Sequence, residues 1–286
     1  MRAGLYRIFC FGSLYFLWVL GFSLPAQSET FQERPIINGQ RQQLWVYRDT
    51  PGLPVLLHLH GGPGMPASPF SPALEPLLPS TFTLVHWDQR GTGRSFEAGE
   101  PLSWPLMLQD AEAVIDYLRQ RFHQKKIYLV GKSWGSLLGL TLAQKHPEWL
   151  HAYIGVAQII DVTQGDAHAY AFLRQQMSPR DYAKLPRPPY TPEQWSKMRA
   201  EVQRYRGVVY APIEGTLFWS ALQSGVYSPW DYLHAYEGFQ YSQRQLAHDI
   251  RQLPPFRPSA LTVPIYFFHG RHDGLVPPQL ARDYLC

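Results

Sequence analysis

The stretch IYLVGKSWGSLL, residues 127–138, decides the fold, because an apolar strand (127–130) runs directly into an amphipathic helix. Between them lies Gly131-Lys132-Ser133-Trp134-Gly135, a G-x-S-x-G in the strand–turn–helix context that its chemistry requires. A serine on such a sharp turn projects beyond the edge of the sheet, and the flanking glycines carry no Cβ atoms that would clash there. The start of the helix adds free backbone N–H groups that favour a developing oxyanion. The pattern therefore predicts that Ser133 is a nucleophile.

Strand and helix patterns alternate on both sides of this turn, as in an α/β protein whose mostly parallel sheet has helices on both faces. Strands are predicted at 44–48, 55–60, 82–87, 127–130, 151–156 and 263–269, and helices at 104–122 and 133–146. Residues 160–258 interrupt the alternation, being rich in Tyr, Trp, Pro, Gln and Arg, with shorter helical patterns at 193–206 and 227–236. We predict an α/β core formed by residues 29–159 and 259–286, with residues 160–258 inserted as a helical cap.

Composition and charge disfavour several classes of protein. Hydrophobic residues make up 45% of the 286 and charged residues only 17%, as in a globular rather than a disordered chain. The net charge is +4, but the basic residues are scattered, so we expect no nucleic-acid partner. Gly131-Lys132-Ser133 resembles the end of a phosphate-binding loop, yet Lys126 stands where that loop needs a glycine. Gly91–Phe96 likewise fails the dinucleotide pattern G-x-G-x-x-G, and we expect no cofactor.

The first 28 residues have the pattern of an export signal. Two arginines precede an uncharged stretch, 8–24, and small residues at 25–28 offer a cleavage site. We expect a periplasmic or extracellular protein, although the stretch approaches the length of a membrane span and an uncleaved anchor stays open. Cys10 lies in this segment, so Cys286 would be the only cysteine of the processed chain, and no intrachain disulfide could form.

A glycine-rich loop follows the predicted strand 55–60. His60-Gly61-Gly62-Pro63-Gly64 lets the backbone approach a substrate closely, because glycine has no side chain. If this strand and strand 127–130 end at one edge of the sheet, an N–H from the loop and one from the residue after the nucleophile form an oxyanion hole. Gly62 and Trp134 are the candidate donors, and an ordinary tight turn is the alternative.

Three motifs together resemble the prolyl iminopeptidase branch of the α/β-hydrolase fold. They are His60–Gly64 (HGGPG), Gly131–Gly135 (GKSWG) and Asp88–Ser95 (DQRGTGRS), the last a structural loop beside the pocket in that branch. The resemblance implies a serine hydrolase, without metal or organic cofactor, that removes an N-terminal residue, commonly proline, from a small peptide or amide substrate. The site residues that it implies are the nucleophile Ser133, the triad acid Asp273 and the oxyanion donors Gly62 and Trp134.

The same resemblance implies that the cap supplies acidic groups for the free amine of the substrate. A cationic amine removed from water needs a carboxylate partner. No motif selects among the candidates Glu193, Glu201, Glu214 and Glu237. The aromatic residues of the cap could line an apolar pocket for a proline-like ring or form the core of the cap itself. They are Trp195, Phe218, Trp219, Tyr227, Trp230 and Tyr232.

The sequence has no histidine at the place where this fold carries its general base. The order in this fold is Ser, then Asp or Glu, then His on a later loop, and no histidine follows Asp273. His269 and His272 flank the acid too closely to bridge it to Ser133. We expect the base to lie beyond Cys286, and the chain without it to show little turnover because Ser133 keeps its proton.

Three alternatives stay open at this point. The chain could be an esterase, because the fold and the nucleophile do not determine the leaving group. It could be a non-catalytic binding protein that retains the fold without the base. It could also hold a metal, since His58 with His60, and His269 with Asp273, are possible ligand pairs that need a third ligand from folding. The sequence does not fix the oligomeric state.

Overall fold

A seven-stranded sheet organises the chain in the computed structural model, which describes residues 30–71, 80–209, 214–258 and 261–285. The predicted export segment, with Cys10, and Cys286 lie outside the described residues. The strands are β1 (Thr30–Glu33), β2 (Ile36–Ile37), β3 (Gln40–Arg41), β4 (Gln43–Tyr47), β5 (Val55–Leu59), β6 (Thr83–Asp88), β7 (Ile127–Lys132), β8 (Leu150–Val156) and β9 (Ile265–Phe268). Their order across the sheet is β1-β4-β6-β5-β7-β8-β9, and β2 pairs with β3 separately.

The sheet is parallel from β6 through β5, β7 and β8 to β9. Strand β4 joins β6 in antiparallel pairing, and β1 joins β4 in the same way. Every residue of β4 and β6 is buried, and β5 is buried except for the partly exposed His58. Strands that are covered on both faces read as continuous apolar runs, which explains why these segments show no alternation in the sequence. The predicted mostly parallel α/β sheet is confirmed.

Eight α-helices are present among the described residues. They are α1 (Trp104–Arg121), α2 (Trp134–Lys145), α3 (Val162–Gln176), α4 (Pro179–Tyr182), α5 (Pro192–Arg204), α6 (Glu214–Gln223), α7 (Pro229–Gln252) and α8 (Pro278–Leu285). Helix α1 starts as predicted, because the Ser103 side chain accepts the N–H of Leu106, and α1 then buries Val114 and Leu118 in the core. In the described parts of the chain, none of these helices is both long and apolar enough to span a bilayer.

The segment between β8 and β9 contains helices α3 to α7 and no strand among its described residues, in agreement with the predicted cap. Four of these helices start at a side-chain cap, and the capping residues are Asp161, Ser178, Thr191 and Ser228. Each cap satisfies a backbone N–H that has no partner within the helix, and replacing such a residue by alanine costs about 1 kcal/mol. The starts of the cap helices are therefore encoded locally.

Helix α7 corrects one prediction, because it continues to Gln252 rather than ending near residue 236. The polar sequence after Tyr236 weakens the helical pattern, but the buried residues Leu246 and Ile250 anchor this half of the helix in the core. Gly238 lies where α7 crosses the loop after β6, and a Cβ atom there would stand 2.6 Å from the carbonyl oxygen of Gly91. The helix is thus extended by tertiary packing, which outweighs local propensity.

Candidate active site

Four loops meet at one edge of the sheet, because the five parallel strands end there in register and four of them lead into these loops. The aligned pairs are Leu59 with Trp87, Leu59 with Gly131, Lys132 with Val156, and Val156 with Phe268. The loops that follow are the HGGPG loop, the DQRG loop, the serine turn and the segment that carries Asp273. Ligands of open α/β sheets bind at the carboxyl ends of the strands. The register alone therefore brings the predicted motifs together.

Ser133 occupies the sharp turn between β7 and α2. Its φ of 51° and ψ of −117° place a non-glycine residue in a conformation that costs about 1–3 kcal/mol and that the surrounding structure must enforce. The Ser133 N–H donates to the Val156 carbonyl at 2.9 Å. The neighbouring glycines permit the turn, because a Cβ atom on Gly131 would lie 2.6 Å from the Gly135 carbonyl oxygen, and one on Gly135 would overlap that of Leu59. The backbone therefore forms a sharp turn at Ser133, and the role of Ser133 as nucleophile stays a prediction.

The HGGPG loop lies directly against the serine turn. A Cβ atom placed on Gly61 would lie 3.5 Å from the Ser133 Cβ, and Gly62 has a φ of 123° that favours glycine. The Gly62–Pro63 peptide bond is cis. The predicted oxyanion donors are thus adjacent, because Trp134 follows Ser133 as the first residue of α2, where its N–H has no partner within the helix. Gly62 and Trp134 line the same pocket.

His60 fixes the HGGPG loop through both ring nitrogens. Its Nε2 accepts the N–H of Gln89 at 3.3 Å, so the proton resides on Nδ1, which donates to the Gly61 carbonyl at 2.8 Å. Burial lowers the pKa of His60 to about 4, so the ring is neutral at physiological pH.

Gln89 connects the oxyanion loop to the nucleophile turn. The Trp134 indole N–H donates to the Gln89 Oε1 at 2.9 Å, and the Gln89 Nε2 donates to the His60 carbonyl at 3.3 Å. Gln89 and Trp134 are both fully buried, so these bonds are shielded from water. Sequence analysis did not single out Gln89, although its place in the DQRG motif was the available signal.

Asp273 is held by the backbone that follows it. Its Oδ1 accepts the N–H groups of Leu275 at 2.9 Å and Val276 at 2.8 Å, and burial raises its pKa above the usual value for an aspartate. The side chain of His269 is engaged elsewhere, because its Nε2 accepts the N–H of Gln158 at 3.1 Å. The Nε2 of His168 is hydrogen-bonded to the carbonyl of Asp273, not to its carboxylate.

The base for Ser133 stays a prediction. Within residues 30–71, 80–209, 214–258 and 261–285, no histidine hydrogen-bonds the Ser133 hydroxyl. In the same part of the chain, no group of three or more His, Cys, Asp or Glu residues is arranged to hold a metal ion.

A narrow pocket with a volume of about 30 Å³, partly open to solvent, lies between the sheet edge and the cap. Its wall contains Gly62 and Trp134 from the predicted oxyanion site, and its cap side contains Trp195 and Arg199. Further apolar lining comes from Leu137, Ile160, Val162, Ile250, Leu275 and Leu280. Ser133 and Asp273 do not line the pocket themselves, but Trp134 and Leu275, which lie close to them in the chain, do. The wall of the pocket is mostly apolar.

The aromatic residues of the cap divide between the pocket wall, the core and the surface, so neither of the two expected roles holds for all of them. Trp195 belongs to the wall, but Phe218, Trp219 and Trp230 are exposed on the outer surface of the cap. The Tyr227 side chain is buried, and its hydroxyl donates to the Asp88 carboxylate. The sequence could not distinguish these residues, because the outward and inward faces of a cap helix depend on how the cap lies on the sheet.

Three of the four candidate acidic residues, Glu193, Glu201 and Glu237, do not belong to the pocket wall. Glu193 and Glu237 are exposed, and Glu201 is paired with Arg204 at 3.6 Å on the same helix. The side chain of Glu214 lies outside the described part of the chain. The charged residues of the pocket wall are instead Asp161 and Arg199. Asp161 is engaged as the α3 cap, accepting both the N–H and the Nε2 of Gln164.

The DQRG loop fastens the cap to the sheet. The buried carboxylate of Asp88 accepts hydrogen bonds from the hydroxyls of Ser68 at 2.7 Å and Tyr227 at 2.5 Å. Arg94 makes a bidentate contact with Asp231 at 2.9 and 3.0 Å. The DQRG loop therefore has a structural role: its residues Asp88 and Arg94 hydrogen-bond to Tyr227 and Asp231, which belong to the cap.

A buried ion pair also anchors the DQRG loop. The guanidinium of Arg90 contacts the Asp110 carboxylate at 2.6 and 3.1 Å, and both side chains are almost fully buried. Asp110 also accepts from Asn38 and Gln42 at 2.8 Å, so its remaining lone pairs are used. A buried pair with this many hydrogen bonds avoids the penalty of an uncompensated charge.

Comparison with known proteins agrees with this arrangement. A sequence model of the family described as "alpha/beta hydrolase fold" matches residues 54–285. The chain belongs to the α/β-hydrolase fold family. This hydrolase is 27% identical over 271 residues to the probable aminopeptidase YbaC of Bacillus subtilis, an alignment covering 87% of this chain and 82% of that protein. It is 40% identical over 111 residues to the proline iminopeptidase of Neisseria gonorrhoeae, covering 37% of this chain and 33% of the relative.

Solved structures show the same fold. The proline iminopeptidase-related protein of Thermus thermophilus superposes with a TM-score of 0.62 at 20% identity, covering 90% of this hydrolase and 86% of that chain. The proline iminopeptidase of Mycobacterium smegmatis gives a TM-score of 0.59 at 18% identity, with the same coverage. At these identities the likeness shows the fold alone. Together with the sequence matches, it confirms the resemblance to the prolyl iminopeptidase branch.

Proposed function

We propose that the chain is a serine hydrolase that cleaves a small peptide or amide at an N-terminal aminoacyl or prolyl residue. One observation carries the proposal: Ser133 sits in the strained turn at the start of α2 with the HGGPG loop packed against it. This arrangement suits acyl transfer, because it would let the Ser133 hydroxyl and the N–H groups of Gly62 and Trp134 act on one carbonyl. The names of the sequence relatives, an aminopeptidase and proline iminopeptidases, support a peptide bond as the target.

The reaction would proceed through an acyl-enzyme. The Ser133 oxygen attacks the carbonyl carbon, and the N–H groups of Gly62 and Trp134 stabilise the negative charge on the carbonyl oxygen. Collapse of this intermediate breaks the bond to the amine, which leaves with a proton, and water then hydrolyses the ester on Ser133. Asp273 would orient the base that receives the serine proton.

A fluorophosphonate probe tests the nucleophile directly. We expect the protein to be labelled at Ser133, with labelling abolished in Ser133→Ala. Ser196→Ala, on cap helix α5, is the matched control and should label like the wild type. Absence of labelling in a folded wild-type protein would contradict the proposal and favour the non-catalytic binding protein.

A substrate panel separates the peptidase from the esterase. Prolyl and alanyl p-nitroanilides should be hydrolysed with a kcat/KM at least comparable to that for p-nitrophenyl acetate, relative to the uncatalysed rate of each. Hydrolysis of the ester alone, with Ser133 labelled, would assign the chain as an esterase of the same fold.

Export is a separate proposal that rests on residues 1–28. N-terminal sequencing of the protein from the cell envelope or the medium should show a chain that starts near residue 29. A protein that retains residues 1–28 and pellets with membranes would instead indicate an uncleaved anchor.

A further inference from the structure

The cap side of the pocket presents a cation. Arg199 belongs to α5 and lines the pocket together with Gly62 and Trp134, the predicted oxyanion donors. Its Nη2 lies 3.5 Å from the Gly62 carbonyl oxygen. Because the N–H and the carbonyl of Gly62 belong to one residue, the guanidinium lies within roughly 7 Å of this oxyanion donor. A charge so near the reacting carbonyl must affect which substrates are accepted.

A tryptophan side chain, rather than a carboxylate, is in contact with the Arg199 guanidinium. It stacks on the ring of Trp195 at 4.5 Å from the ring centroid, and the Trp195 indole N–H is fixed by a 2.8 Å bond to Asp166. Burial lowers the pKa of Arg199, while Asp166 and Asp273 oppose this effect through space. Among the described residues, no carboxylate forms an ion pair with Arg199.

A guanidinium has five N–H donors, and the described residues occupy one of them through a long bond to Gly62. The Arg199 side chain is only partly buried, and its planar group is shaped for bidentate contact with a carboxylate. The other charged residue of the wall, Asp161, already accepts two hydrogen bonds from Gln164. The free hydrogen-bonding capacity on this side of the pocket is therefore that of a donor with positive charge.

We propose that Arg199 is a specificity-determining residue that binds a carboxylate of the substrate close to the scissile carbonyl. This inference rests on the proposed function, because it takes the Gly62–Trp134 site as the place of the carbonyl. It names the substrate class as peptides or amides whose terminal residue carries an acidic group within two or three bonds of that carbonyl.

Three small ligands of matched size test the charge preference without turnover. Succinamate has one carboxylate and one primary amide, succinamide has two amides, and β-alaninamide has an ammonium group and one amide. Each amide carbonyl can occupy the oxyanion site. Titration by calorimetry at fixed ionic strength should show succinamate binding at least tenfold more tightly than succinamide, with β-alaninamide weakest. Equal affinities, or tightest binding of β-alaninamide, would overturn the proposal.

Variants assign the preference to Arg199. Arg199→Gln should reduce the succinamate-to-succinamide affinity ratio to about one, and Arg199→Lys should retain part of it, since lysine keeps the charge without the fork. Lys197→Gln removes an exposed positive charge from the same helix and should leave the ratio unchanged. A ratio that persists in Arg199→Gln would overturn the assignment. If Arg199→Gln does not fold, the relative affinities of the three ligands for the wild-type protein still test the proposal.

The outcome is separable from that of the proposed function. Failure of fluorophosphonate labelling at Ser133 with an intact succinamate preference would make the pocket an anion-binding site in a non-catalytic protein. Normal labelling without the preference would leave a serine hydrolase whose pocket does not select for a carboxylate, and would refute the role of Arg199.

Discussion

Gly135→Ala is the most direct test of how the nucleophile turn is built. The added Cβ would lie 2.6 Å from the His60 carbonyl oxygen and would overlap that of Leu59. Restoring ordinary contact distances requires α2 and β5 to separate by about 1 Å, in an interior that is packed as densely as a crystal. Because both clashing atoms belong to the backbone at the end of a central strand, they cannot rotate away as a side chain could.

The expected loss follows from this geometry. Overpacking in cores costs about 1–3 kcal/mol when side chains can adjust, and we expect about 3 kcal/mol here because the backbone must move. That is a large part of the ~5–15 kcal/mol stability of a typical domain. With an m-value of about 3 kcal/mol/M, the urea midpoint should fall by about 1 M. The displaced serine turn should also slow fluorophosphonate labelling by about 100-fold, since a shift of 1 Å misaligns the nucleophile.

Urea unfolding followed by tryptophan fluorescence measures the loss, and Gly215→Ala is the control. Gly215 lies in α6 with no described atom within 4 Å of its added Cβ, so alanine should be neutral or stabilise the helix by up to about 1 kcal/mol. A Gly135→Ala protein with the wild-type midpoint and labelling rate would refute the steric reasoning about this turn.

Three further changes test the packing around the site. Asp110→Ala leaves Arg90 buried without its partner and should remove about 3–5 kcal/mol of unfolding free energy in urea; an unchanged midpoint would contradict this. Tyr227→Phe removes a donor from the buried Asp88 carboxylate and should cost about 1–3 kcal/mol, with faster amide exchange in the first turns of α7; wild-type protection there would count against the tether. Burial lowers the pKa of His86 to about 3, so between about pH 6.5 and pH 3 the unfolded chain binds a proton that the folded chain does not. Stability should therefore fall as the pH drops through this window, by up to about 1.4 kcal/mol per pH unit, and His86→Gln should remove that share; parallel curves for both proteins from pH 7 to pH 5 would disprove it.

The sheet could be predicted well from the sequence because its signals are local. Strand β7 and helix α2 are joined by a motif that requires both, and strands β5 and β6 are apolar runs bounded by Pro, Gly or Ser. Parallel strands that end in register place their following loops together, so the clustering of Ser133, Gly62 and Trp134 follows from the strand ends alone. Strands β1 to β3 were not predicted, since they are short or carry polar residues at the edge of the sheet.

The contents of the pocket could not be predicted in the same way. Whether a side chain of α5 or α6 points into the pocket depends on how the cap packs on the sheet, which no short pattern encodes. Arg199 therefore resembles the other scattered basic residues until the cap is in place, and Trp219 resembles Trp195. Gln89 has the same difficulty, because its role depends on Trp134 and His60 approaching it from two other loops.

The way in which the cap is attached limits how it can be exchanged between proteins. Asp88, a residue of the sheet, has its carboxylate completed by Tyr227 of the cap, and Gly64 packs against α7 so closely that a Cβ atom would lie 2.8 Å from Phe239. Grafting a foreign cap onto this core would leave an ionisable group in the interior lacking one of its donors. A chimera that folds should therefore take the DQRG loop and the cap residues that contact it, such as Tyr227, from the same parent protein.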